Sequence, residues 1–84
     1  MHVEFFGVPR ERAGRSGMEV RADTLGQLMV ILAAEIPPLG EFIFKDRLHA
    51  AFAANLNGDR FVCDPRTPLA EDDRVLILSA DAGG

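Results

Sequence analysis

The chain has 84 residues, 48% hydrophobic and 26% charged, with 13 acidic against nine basic side chains and a formal charge of −4. That is the length and composition of one small globular domain with a single core. The acidic balance argues against a general nucleic-acid binder, and no apolar run approaches the roughly 20 residues of a membrane span. Glu4 interrupts the only early apolar segment, so no secretory leader is expected and a cytoplasmic location is. One cysteine, Cys63, excludes an internal disulfide framework.

The segment from His2 to Val8 reads as a β-strand, with Val3 and Phe5 on the core face and Phe6 opposite. Pro9 to Ser16 carries charges, a proline and a glycine, and reads as a connecting loop. Gly17 to Ala22 alternates, placing Met18, Val20 and Ala22 on one face, so the two strands form an antiparallel hairpin. Thr24 and Gln27 then have capping-box spacing. Leu25, Leu28, Met29, Leu32 and Ile36 follow on one helical face, until Pro37-Pro38 ends the helix. Leu39 to Leu48 reads as a short helical turn.

From His49 the period returns to two, with Phe52, Ala54 and Leu56 alternating before Asn57-Gly58, a strong hairpin signal. Asp59 to Cys63 is the returning strand, with Cys63 expected to be buried. Asp64 to Pro68 breaks the strand, Leu69 anchors the loop, and Glu71-Asp72-Asp73 forms an acidic turn. Arg74 to Ser79 is nearly all apolar and is expected at the centre of a sheet, covered on both faces. The expected architecture is α+β, a mixed sheet of about five strands with one main helix packed across it. Residues 1–84 form one domain, in which 79–84 are a flexible tail.

Side-chain chemistry is sparse. His2, His49 and Cys63 lie in unrelated segments without metal-ligand spacing. The glycines form neither a dinucleotide fingerprint nor a P-loop. Three adjacent carboxylates at Glu71 to Asp73 lack the alternating spacing of a calcium loop. No metal, cofactor or catalytic side chain is expected. What remains is Gly83-Gly84: two residues without Cβ can pass a channel closed to larger side chains, leaving a terminal carboxylate unhindered.

With this element order and a final Gly-Gly, the chain resembles the ubiquitin-like β-grasp sulfur carriers, and among them the small subunit of molybdopterin synthase. Phe5-Phe6-Gly7-Val8-Pro9-Arg10-Glu11, followed by Gly14, is similar to the family's opening Phe-Phe-Ala-x-x-Arg-Glu. Leu56-Asn57 resembles its Val-Asn, and Pro68-Leu69 with Glu71-Asp72-Asp73-Arg74-Val75 resembles its Pro-Leu-x-x-Gly-Asp-x-Val. Asp72 replaces the usual glycine of that last motif, and Ser79-Ala80 stand where Pro-Pro is common before the tail.

The resemblance implies that an ATP-dependent activating enzyme adenylates Gly84 and that a sulfurtransferase persulfide converts it to a thiocarboxylate. Gly83 would thread the tail. Phe6, Leu76, Leu78 and Arg10 are candidates for docking the partner. That partner would be a molybdopterin synthase large subunit or another sulfur acceptor, serving thiazole, cysteine, tungsten cofactor or secondary-metabolite synthesis. A ubiquitin-like modifier joined to target lysines, or a plain interaction domain, are the other readings.

Overall fold

The computed structural model describes residues 1–83. β1 (His2–Phe5), α1 (Val8–Ala13) and β2 (Gly17–Glu19) open the chain, followed by α2 (Leu25–Glu35) and α3 (Pro37–Gly40). A small hairpin, β3 (Ile43–Phe44) with β4 (Arg47–Leu48), leads to β5 (Phe52–Leu56), β6 (Arg60–Val62) and β7 (Arg74–Ser79). The main sheet runs in the order β2-β1-β7-β5-β6, with β1 and β7 parallel and every other pair antiparallel. The expected mixed sheet of five strands under a main helix is therefore present.

Alternation sets the core. Val3 and Phe5 from β1, Phe52, Ala54 and Leu56 from β5, and Val75 and Ile77 from β7 are all buried on one face. Leu25, Leu28, Met29, Leu32 and Ile36 meet them from α2 and its C-terminal cap, as the helical spacing requires. No polar or charged residue is buried among the described residues.

The start of α2 is tied down by a distant loop. Gln27 N–H donates to Thr24 Oγ1 (3.2 Å), one half of a capping box. Gln27 Oε1 reaches one residue further back than the box prescribes, accepting from Asp23 N–H at 2.6 Å. Leu25 and Gly26 donate to the carbonyls of Thr67 and Pro65, both at 2.9 Å, so the loop after β6 satisfies donors that a helix start leaves orphaned. A Cβ on Gly26 would lie 2.9 Å from Pro65 Cβ, so this close approach requires glycine.

Four expectations need correction. Pro9 to Ser16 is mostly helix rather than loop: Pro9 sits in the first turn, where its missing N–H is no loss. Gly14 closes that helix at φ 69° by donating to Arg10 O. Leu39 to Leu48 is not one helical turn, because α3 already starts at Pro37 and the β3–β4 hairpin follows, turning at Lys45 with φ 61°. β7 is central but covered on one face only; Leu76 and Leu78 stay half-buried on the other. Cys63 is exposed, because it follows the end of β6, an edge strand with no outer neighbour.

Asn57 does more than supply a turn. It and Gly58 have φ of 60° and 70°, and Asp59 N–H closes the turn on Leu56 O at 3.0 Å. Asn57 Nδ2 also donates to Asp73 Oδ1 (2.9 Å), while Asn57 Oδ1 accepts from Arg74 N–H (2.8 Å). The Asn57 amide and the Ala70 N–H both donate to the Asp73 carboxylate and hold its pKa below the ordinary value. Asn57→Gly keeps the turn but loses both side-chain bonds. It should cost about 1–3 kcal/mol in denaturant unfolding. Because the folded-state pKa is depressed, Asp73's contribution is present above its unfolded value near pH 4 and is lost as pH falls through the lower folded value. The difference between wild type and Asn57→Gly should therefore shrink on acidification.

Candidate functional site

The face of the sheet turned away from α2 is open, and the strand register fixes what it displays. Glu4 pairs with Leu76, Leu76 with Asn55, and Asn55 with Phe61, so these four form one row across four strands. One step along, Leu78 pairs with Ala53, and Phe6 continues β1 beside them, its N–H bonded to Ile77 O at 2.9 Å. Phe6 is 57% exposed and Phe61 59% exposed. Phe6, Leu76 and Leu78 are thus brought together on one open apolar face. Arg10 is exposed on α1 and shares with Phe6, Glu4 and Ser16 a shallow depression at the end of β1.

A charged strip borders this face. His2 Nδ1 lies 2.6 Å from Glu19 Oε1, its Nε2 lies 3.6 Å from Glu4 Oε1, and Arg74 Nη1 is 3.8 Å from the same Glu4 oxygen. These contacts are largely exposed and contribute little to stability. Their effect is to mark one boundary of the apolar patch with both signs of charge.

Phe61 and Asn55 escaped the sequence reading. A two-residue turn at Asn57-Gly58 would set Asp59 opposite Leu56, whereas Arg60 stands there. That shift by one residue sends Phe61 to the open face and Val62 toward the core. Asn55 Oδ1 is buried without a hydrogen-bond partner among the described residues, and no sequence signal marks it.

β7 joins this face to the end of the chain. It is hydrogen-bonded on both edges, ends at Ser79, and runs into a single 3₁₀ turn at Ala80–Gly83. Ala80 N–H, bonded to Ala51 O at 2.9 Å, extends the pairing with the β5 side by one residue. Gly83 ends the 3₁₀ turn, and Gly84, the residue singled out for acyl chemistry, lies outside the described residues. No helix of the described residues is long and apolar enough to cross a membrane.

Cys63 takes no part in this arrangement and, being exposed, does not hold the core together. Cys63→Ser is expected to change unfolding free energy by no more than about 0.5 kcal/mol. Its thiol should react with a disulfide reagent in the native protein without a lag, as absorbance of the released thiolate would show. Slow reaction limited by unfolding would place the thiol inside.

No protein-family model matches the sequence, and neither does any curated protein. Solved structures do match. Small archaeal modifier protein 1 from Methanosarcina acetivorans aligns at TM-score 0.80 and 22% identity, over 99% of this chain and 94% of that one. A chain of the BexX/CysO complex from Amycolatopsis orientalis aligns at 0.78 and 19%, over 99% and 98%. A chain from the complex of subunits 1 and 2 of molybdopterin-converting factor from Helicobacter pylori 26695 aligns at 0.68 and 28%, over 99% and 96%. The fold they share with this chain is the ubiquitin-like β-grasp.

Proposed function

We propose that this chain, a ubiquitin-like β-grasp protein, is a sulfur carrier that works through the carboxylate of Gly84 in the cytoplasm. The observation that carries the reading is the continuity of β7: one strand supplies Leu76 and Leu78 to the open face and then leads straight into the tail. A partner that grips the face thereby holds the root of the tail, at the end of β7, at a fixed distance. Two of the similar structures are complexes with a second protein, which supports a carrier that acts by docking.

The chemistry asks little of this chain. A carboxylate resists nucleophilic attack because it is negatively charged and oxide is a poor leaving group. An activating enzyme would join the Gly84 carboxylate to the α-phosphorus of ATP, releasing pyrophosphate and making AMP the leaving group. The terminal sulfur of a sulfurtransferase persulfide would attack the acyl carbon and expel AMP. A thiol then cleaves the acyl disulfide, leaving the thiocarboxylate. The domain contributes orientation, which is worth much in such a step because small misplacements cost large factors in rate. A molybdopterin synthase large subunit is the acceptor we favour, on the motifs around Arg10, Asn57 and Asp73.

Incubated with an activating enzyme, ATP and a persulfide donor, the chain should gain the mass of one oxygen-to-sulfur exchange, localised to Gly84 by fragmentation. Gly83→Val should block the exchange by filling a channel sized for backbone, with the fold unchanged. Equal rates for Gly83→Val and wild type would remove the tail from the mechanism. Amide-linked adducts on other proteins, without any exchange, would establish the modifier reading instead.

The face has its own test. Leu76→Asp and Phe6→Asp place charge on a surface that is already partly wet, so thermal unfolding should move by only a few degrees. The same changes should raise the activating enzyme's KM at least tenfold, as expected for charge set into the apolar centre of an interface. Unchanged KM for both variants would move docking elsewhere.

A further inference from the structure

On the opposite side of the sheet, a cleft lies over the closed core. A cavity of about 410 Å³ opens between α2, the β3–β4 hairpin and the β5–β6 edge. Buried Leu25, Met29, Phe52 and Ala54 form its floor, and half-buried Leu48 and Val62 stand at its sides. On that floor Ala54 offers only a methyl group between the larger Phe52 and Leu56 of the same strand face. This volume lies within the range of small-molecule sites, roughly 300–1,000 Å³.

Asp46 lines the cavity, half-buried, with Cys63 on the same rim. It is the only charged residue of the lining. Asp46 makes no hydrogen bond or ion pair among the described residues, in contrast to Asp64, which Arg66 engages at 3.4 Å. Asp46 and Cys63 also border the shallow depression next door, whose Arg47, Asp64 and Arg66 do not line this cavity. An apolar chamber with one unpaired carboxylate selects for charge as well as for shape.

The geometry points to a binding site for a small organic cation, an ammonium group on an apolar body of about one ring, with the body against Phe52, Leu48 and Val62 and the charge at Asp46. The site lies at the β5–β6 edge, where Phe61 and Ala53 of the open face also contribute to its lining, and does not depend on sulfur chemistry.

The test is a titration of the ¹⁵N-labelled full chain with 2-phenylethylamine, 2-phenylethanol and 3-phenylpropionate, read by amide chemical shifts. Saturable shifts are expected at Phe52, Ala54, Val62 and Cys63, with the amine bound about fivefold more tightly than the carboxylate. Asp46→Asn should erase the preference and leave the alcohol unaffected. Ala54→Leu should abolish binding by filling the chamber. Should it fail to fold, Ala50→Leu on the exposed rim should weaken binding without touching the core. Shifts that do not saturate, shifts centred elsewhere, equal affinity for amine and carboxylate, or amine binding untouched by the filling variants would each overturn the proposal.

Discussion

β7 donates and accepts on both of its edges, parallel to β1 on one side and antiparallel to β5 on the other. That double pairing is the constraint on which the rest of the structure depends. It sets Val75 and Ile77 into the same layer as Val3, Phe5, Phe52, Ala54 and Leu56, and so defines the core. By the same alternation it turns Leu76 and Leu78 outward beside Glu4, Phe6 and Ala53. Parallel pairing of β1 with β7 demands a crossover between the chain's two ends, and α2 with its neighbours provides it. One strand therefore fixes the core, the open face and the point at which the tail leaves the domain.

The two faces of the sheet divide the work. The core side holds the fold together with apolar contacts, helped by the loop at Pro65 and Thr67 that closes the first turn of α2. The open side keeps an apolar surface that a lone domain has no structural use for, bounded by the His2, Glu4, Glu19 and Arg74 strip. Asn55 sets into that surface a carbonyl oxygen that has no hydrogen-bond partner among the described residues. Such a division suits a carrier, which must stay folded on its own and still fit the surfaces of other proteins.

Much of this was legible in residue order, because the strongest signals were local. The spacing from Leu25 to Ile36 located α2, Asn57-Gly58 located the turn, and the alternation at Val3, Phe5, Phe52, Ala54 and Leu56 located the core face. The helix α1 was legible in principle, since Pro9 and Gly14 are start and stop signals, but its charges read as a loop. An apolar run at Arg74 to Ser79 could not reveal that one of its faces is open, because periodicity is silent when both faces are apolar. The exposure of Cys63 and Phe61 depended on a one-residue register shift and on β6 being the edge strand, both products of tertiary pairing. The cavity beside Ala54 likewise arises between segments far apart in sequence.

In the function proposed above, the domain is a handle and the tail its working end. ATP–pyrophosphate exchange by a sulfur-carrier activating enzyme measures this directly, with either the whole chain or a synthetic peptide of residues 79–84 as the acyl substrate. The whole chain should saturate the exchange at concentrations at least a hundredfold below any at which the peptide responds, in line with the large effects of orientation. A peptide that saturates at the same concentration as the whole chain, with the same maximal rate, would contradict the account, because the β-grasp domain would then contribute nothing to recognition.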